Sequence, residues 1–356
     1  MLIFSDLHYG LNDDNEQRLN DADQCIEWII DEAKKRHEKI CIFAGDFSHN
    51  RYKIGVNTAD RMKEAVRKLN DAFEEVYLIA GNHDFYYNND DRVCVLDLFS
   101  KFEHVYTVIN SAQEINHNGK RILLAPWFYN PNEEIGGKYD VLIGHFEFIG
   151  AKLKDRYSDR GYDLKSLLAI APLVFSGHYH LTSEYEKENG KVIVIGSPYQ
   201  QDWSDVDDNK RIILFDGTTF ESVWNQASPS YLKIPYEKIK DLNNETLEQL
   251  FKHPRFKNGI VKLTVSGEVD YEKVQKILSI GSDCGIRSFE SDYSQVSSTI
   301  SESIVSEMEK GVEKSPCEYV IDFINSMIDA DNSPYASLDK KEMNGMVDNY
   351  FSKLNH

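Results

Sequence analysis

The residues best equipped for chemistry in this chain stand at the ends of five hydrophobic runs. Gly81-Asn82-His83-Asp84 follows the run Val76-Tyr77-Leu78-Ile79-Ala80. It supplies an amide oxygen that can ligate a metal, an imidazole that can donate a proton, and a carboxylate that can orient that imidazole. Asp6 and His8 follow Met1-Leu2-Ile3-Phe4 and are two residues apart, so both side chains can leave an extended segment on one side. His178 and His180 repeat that spacing after Leu173-Val174-Phe175-Ser176-Gly177, Asp46 follows Ile40-Cys41-Ile42-Phe43-Ala44, and His145 ends Val141-Leu142-Ile143-Gly144. These nitrogen and oxygen donors, with no thiolate among them, suit a pair of hard or borderline divalent ions rather than structural zinc.

Such donors need rigid elements behind them. Leu19, Ala22, Ile26, Ile29, Ile30 and Ala33 recur at helical spacing over residues 17–36, and Met62, Val66, Leu69 and Phe73 do so over 58–73. Strand, polar strand end, helix, strand is the rhythm of an α/β layered domain, whose ligands bind at the carboxyl ends of the strands. Residues 105–126 read as short strands with a hairpin signal at Asn118-Gly119, and period-2 runs at 191–195 and 211–215 predict a second sheet.

The character changes near residue 231. A β-α-β pattern over 259–289 predicts a small appended domain, and the Ser/Glu-rich stretch that follows has little to bury and reads as a tether. Ser315-Pro316-Cys317-Glu318 then matches a capping box with proline at the first helical position. Val320, Ile321, Ile324, Met327 and Ile328 recur at helical spacing, as do Met343, Met346, Val347, Tyr350, Phe351 and Leu354. These two apolar faces either fold back on the body or dock a partner; a tether is unnecessary for a tail that packs locally, which favours docking. The expected division is 1–230, 231–293, a linker at 294–314, and a helical tail at 315–356.

A net charge of −19 argues against a protein that coats nucleic acid by bulk charge, so such contacts need local basic patches, bound metals or a partner. Lys152, Lys154, Arg156 and Arg160 are the most basic run near the donor blocks, and Tyr9 and Tyr179 beside the donors could stack on a base or pack beneath the metals. Five cysteines without CxxC spacing fit reduced thiols and an intracellular setting. No apolar stretch reaches the roughly 18 residues of a membrane span, and no signal peptide is visible, so the cytoplasm is the expected location.

In order, the blocks are Asp-x-His, Gly-Asp, Gly-Asn-His-Asp, Gly-His and Gly-His-x-His, and all five resemble the calcineurin-like metallophosphoesterase superfamily. Within it the chain is similar to the SbcD-type DNA repair nucleases. The resemblance implies two sheets flanked by helices, with a small β-α-β capping domain and a C-terminal helical tail. It implies that Asp6, His8, Asp46 and His180 hold one ion and Asp46, Asn82, His145 and His178 the other, with Asp46 bridging. Manganese is the metal expected by family analogy, and magnesium the runner-up. Two such ions clamp a phosphodiester and activate water.

By the same resemblance His83 faces the phosphate, stabilising the transition state or protonating the departing oxygen, while Asp84 holds its ring. His49 matches a further histidine of those nucleases, although Asn50-Arg51-Tyr52 departs from their usual continuation. Gly196-Ser197-Pro198 also resembles them, with a backbone role. The implied activity is 3′-to-5′ exonuclease action on duplex DNA ends and endonuclease action on hairpins or single strands, in recombination and double-strand-break repair. The implied partners are an SbcC-type coiled-coil ATPase docked on the tail and a second copy of the chain, together a heterotetramer. Two readings compete with it: a phosphatase or phosphodiesterase with a non-DNA substrate, and a non-catalytic DNA-end scaffold.

Overall fold

A computed structural model of the chain describes residues 1–133, 139–266, 269–293, 321–322, 324–325, 328–329 and 338–354. Among them, twelve strands build two sheets of six. The strands are β1 (Leu2–Phe4), β2 (Ile40–Ala44), β3 (Glu75–Ile79), β4 (Val105–Val108), β5 (Gln113–His117), β6 (Lys120–Ala125), β7 (Val141–His145), β8 (Leu173–Gly177), β9 (Ser183–Lys187), β10 (Gly190–Val194), β11 (Arg211–Phe215) and β12 (Phe220–Trp224). The first sheet runs β12-β11-β1-β2-β3-β4 and the second β5-β6-β7-β8-β10-β9.

The centre of each sheet is parallel, with Leu2 opposite Cys41 and Cys41 opposite Val76 in the first and Leu142 opposite Val174 in the second. That is why these strands read as continuous apolar runs: both faces are covered. Ile3, Ile42 and Ile79 of the first sheet pack against Ile122, Ile143, Phe175 and Ile193 of the second. On the other face of the first sheet Leu2, Phe4, Phe43 and Leu78 lie under α1 (Glu16–Arg36) and α2 (Val56–Ala72). Leu123, Leu142, Val174 and Val192 lie under α3 (Leu164–Ile170), a helix too short to have stood out by periodicity. The layers are helix, sheet, sheet, helix, as the α/β expectation required.

Local signals act where the sequence carries them. The Asn15 side chain accepts from the amides of Gln17 and Arg18 and starts α1. Asn118 and Gly119 both take positive φ, 50° and 79°, and turn β5 into its antiparallel partner β6.

The chain divides into two compact units, Met1–Leu232 with Pro254–Ile260, and Lys233–His253 with Val261–His356. Apart from the first residues of β13 and β14, the second holds a three-stranded sheet ordered β13 (Tyr231–Pro235), β14 (Ile260–Thr264) and β15 (Ser288–Asp292), with helices α4 (Asn244–Phe251) and α5 (Tyr271–Asp283). Leu247, Phe251, Val261, Leu263, Val274 and Ile277 are buried there, and Phe251 meets Phe289 at 5.3 Å. The last strand begins two residues beyond the apolar pattern at 286, which marks its buried entry.

In the tail, α6 spans Lys340–Leu354, Ile328 is buried, Ile321 and Ile324 are half-buried, and Met346 is exposed. The linker at 294–314, the capping box, Val320, Met327 and the side chains of Tyr350, Phe351 and Leu354 lie outside the described residues. Cys25, Cys41 and Cys94 are buried free thiols. No helix among the described residues is long and apolar enough to cross a membrane.

Candidate metal centre

The polar ends of β1, β2, β3, β7 and β8 bring Asp6, His8, Asp46, Asn82, His145, His178 and His180 together. The segments after β1 and β2 stay hydrogen-bonded beyond their strands, Asp6 N–H to the Gly45 carbonyl at 2.9 Å and His8 N–H to the Asp46 carbonyl at 3.1 Å. Four of the seven candidate ligands hold left-handed backbone: Asp6 (φ 57°), His8 (50°), Asp46 (62°) and His178 (82°). Such φ values are uncommon for residues with a Cβ and gather where surrounding structure enforces them. The glycine preceding a donor has a steric reason. A Cβ on Gly45 would stand 2.2 Å from His145 Nδ1, and one on Gly81 would stand 2.3 Å from the Asp46 amide nitrogen.

Two groups of donors form among these seven, and His8 also comes together with His49 and His83 in a third. Asp6, His8 and His180 form one, with His8 Nε2 and His180 Nε2 3.1 Å apart and Asp6 Oδ1 3.8 Å and 3.9 Å from them. Asp46, His145 and His178 form the other, joined by Asn82, whose Oδ1 lies 3.0 Å from both His145 Nε2 and His178 Nδ1. Asp46 Oδ2 stands between the groups, 3.5 Å from His8 Nε2 and 3.3 Å from His145 Nε2. Its Oδ1 accepts from the His83 amide at 2.8 Å.

The donor set fits metal ions. Asp6 Oδ1 is fully buried without a hydrogen-bond partner, yet it faces two imidazole nitrogens at metal-spanning distance. A carbonyl can only accept, so the 2.9 Å contact of His145 Nδ1 with the Ala44 carbonyl makes Nδ1 a donor and leaves Nε2 as the atom a metal would take in exchange for a proton. Burial works to lower the His145 pKa, but Asp46 outweighs it and holds the imidazole at about 9. Burial and then the neighbouring His145 push His178 down to about 3, the neutral form a metal requires. A cluster that crowds imidazoles and carboxylates in this way is relieved by cations at its centre.

His83 and His49 stack with ring centroids 5.7 Å apart, and both rings lie against His8, at 5.0 Å and 5.5 Å. The structure corrects the expected role of Asp84. Its carboxylate does not touch the His83 ring: Oδ2 accepts from the amides of Asp46 and Gly81 and Oδ1 from those of Phe47 and Ser48, all within 2.9–3.0 Å. Asp84 therefore clamps the β2 and β3 ends to each other. The His83 ring is held instead by the His49 carbonyl, 2.7 Å from Nδ1. Neighbours in sequence diverge here because the tight turn at Gly81–Asp84 points Asp84 inward under the loop.

Tyr9 and Tyr179 turn out to be buried packing residues, their hydroxyls engaged by the Asp23 carboxylate and by the backbone of Phe148. Of the basic run, Lys154 donates to the Trp203 carbonyl at 2.5 Å. Several supporting residues carried no sequence signal. Gln201 Nε2 donates to the Asp6 carbonyl at 2.5 Å, and Ser5 Oγ to Asp6 Oδ2 at 2.5 Å. Arg18, buried and paired with Asp21, holds the carbonyls of Gln200 and Gln201. Lys210 donates to the His180 carbonyl at 2.8 Å, and Trp127 stands 5.2 Å from the His178 ring. Gln201 follows Gly196-Ser197-Pro198 by three residues, which is the one hint the sequence offered.

Residues 1–182 match the calcineurin-like phosphoesterase family, and the chain belongs to it. Fold and donor set together define a metal-dependent phosphoesterase. The chain is 25% identical to exonuclease subunit 1 of Enterobacteria phage T4 over 331 residues, 90% of this chain and 88% of the phage protein. Similar solved structures include an archaeal phosphodiesterase (TM-score 0.36, 12% identity, 63% of this chain and 98% of that one). Another is the phosphopantetheinyl hydrolase of Mycobacterium tuberculosis (TM-score 0.38, 12% identity, 62% and 94%).

Proposed function

We propose that the chain is a dinuclear-metal DNA nuclease, the nuclease subunit of a complex with an SbcC-type ATPase. The observation that carries the chemistry is Asp46 Oδ2 standing between two groups of nitrogen and oxygen donors. What supports DNA as substrate is the likeness to a phage exonuclease subunit along nearly the whole of both chains, the second compact unit included. Asp6, His8, Asp46 and His180 would hold one ion, and Asp46, Asn82, His145 and His178 the other. Bound divalent ions, manganese first and magnesium second, supply Lewis acidity at the phosphoryl oxygens and acidify water.

The chain's own residues do the rest. The His49 carbonyl fixes His83 Nδ1 as a donor, which leaves Nε2 to exchange a proton with the phosphate or its departing oxygen. His49, stacked on His83, meets the same phosphate from the adjacent loop. Asp84 acts only through the backbone amides that carry both loops. The activity is exonuclease action on duplex ends and endonuclease action on hairpins or single strands. A second copy and the ATPase, bound through the tail helices, supply the DNA grip that a net charge of −19 lacks.

The test is digestion of end-labelled duplex and hairpin DNA in manganese, with and without the ATPase and ATP, beside an aryl phosphomonoester. Wild-type protein is expected to cleave DNA, and His83→Ala to lose about 10²–10⁴ in turnover while binding two ions. Hydrolysis of the monoester alone would replace the nuclease by a phosphatase. DNA binding and repair function that survive His83→Ala unchanged would leave a scaffold.

A further inference from the structure

Exposed aromatic surface lies on the two loops that carry His49 and His83. Tyr52, three residues beyond His49, is 64% exposed, and Tyr86, three residues beyond His83, is 41% exposed. Their rings meet edge to face with centroids 5.3 Å apart, and Tyr87 stands edge-on to Tyr86 at 4.8 Å. The loop bearing Tyr86 and Tyr87 is closed at its base by bridging between Phe85, which is buried, and Cys94. The Tyr86 amide donates to the Val93 carbonyl at 3.0 Å. The aromatic tip thus stands on a pinned stem.

Cations accompany the rings. Arg92 lies over Tyr87 at 5.2 Å while paired with Asp90, and Arg51 donates to Asn88 Oδ1 at 2.6 Å, which ties the two loops together. Three residues of chain span at most about 11 Å. The Cα atoms of Tyr52 and Tyr86 therefore lie within about 11 Å of those of His49 and His83.

We propose that Tyr52, Tyr86 and Tyr87 form a stacking platform for an unpaired base of the strand whose phosphate enters the metal centre. Arg51 and Arg92 sit beside it for the sugar–phosphate path. The inference rests on the nuclease reading above and adds how the substrate is chosen. Every base presents a π-face, so stacking on tyrosine tolerates sequence, and it holds a strand without the bulk positive charge this chain lacks. A base inside a duplex has both faces covered by its neighbours. Only a frayed end, a loop or a single strand has a free face, so the platform selects for those structures.

The test is a cycle between tyrosine and base on single-stranded oligonucleotides in manganese. The protein partners are wild type, Tyr52→Ala/Tyr86→Ala and Tyr52→Phe/Tyr86→Phe. The strands are intact or carry one abasic nucleotide at each of the three positions beside the scissile phosphate in turn. The alanine pair is expected to raise KM for the intact strand by about 5- to 150-fold. At one position the abasic strand is expected to impose that rise on wild type and no further rise on the alanine pair, while the phenylalanine pair behaves as wild type. Wild-type KM in the alanine pair, or losses that multiply at every position, would overturn the platform while leaving the nuclease intact. Conversion of a dimer to a monomer by the alanine pair with KM unchanged would assign the tyrosines to a second copy and also overturn it. Failure of wild type to cut any strand would sink the nuclease reading itself, and the platform with it.

Discussion

The two donor groups of the centre are built in different ways. In one group His145 is the last residue of β7, a central strand covered on both faces, and is wholly buried with Nδ1 tied to the Ala44 carbonyl, while Asn82 follows β3 by three residues in the turn that Asp84 clamps. Asp6, His8 and His180 all stand beyond their strands on loops and are steadied by Gln201, Ser5 and Lys210, and left-handed backbone occurs in both groups, at Asp6 and His8 here and at Asp46 and His178 in the other. One group contains a ligand fixed by the packing of the sandwich, His145, whereas every member of the other is held by polar contacts between loops. The first should tolerate loss of any single support, whereas the second depends on a few hydrogen bonds.

Removing the wall that both groups share has the largest expected effect. Gly45→Ala places a Cβ 2.2 Å from His145 Nδ1 at a φ of 99°. Overpacking of ~1–3 kcal/mol adds to left-handed strain of ~1–2 kcal/mol. Thermal unfolding should shift down accordingly, and metal analysis should find neither ion retained; a protein with wild-type stability and two ions would show that the close approach is not needed.

Next comes the strand-borne group alone. Asn82→Ala removes the oxygen that joins His145 and His178 and is expected to weaken that ion by more than about 100-fold, since supporting contacts alone cost 10- to 100-fold. Calorimetric titration should then show one ion bound where wild type binds two. Equal weakening of both ions would erase the distinction between the groups.

The smallest effect sharpens the other side. Gln201→Ala leaves the Asp6 carbonyl without its donor, and about 1–3 kcal/mol of stability should be lost together with about tenfold in affinity for the loop-borne ion. The strand-borne ion should keep its affinity. Were that ion the one weakened, the assignment of Gln201 to the loop-borne group would fall.

Much of this was legible because the relevant physics is local. Apolar runs covered on both faces announce parallel strands, and Asn118-Gly119 marks a hairpin. The donors were visible because each stands immediately after such a run. Helix α3 was not, since seven residues barely show a period, and β9 and β12 were not, since their alternation is half-exposed and polar. Gln201, Lys210 and Trp127 act through space from residues far along the chain, and residue type alone does not reveal that.

By itself, then, the sequence determined the donor chemistry, the strand ends that bear it, and the glycines that let those ends approach. The tertiary structure alone decided which donors face one another, that Asp84 clamps backbone amides rather than the His83 ring, and that Tyr52 meets Tyr86 outside the centre while Tyr9 and Tyr179 are buried beneath it. The reason is geometric. Periodicity encodes which side of an element is covered, whereas the direction of a side chain in a loop is set by left-handed backbone and by hydrogen bonds to other loops, and these exist only once the two sheets have closed.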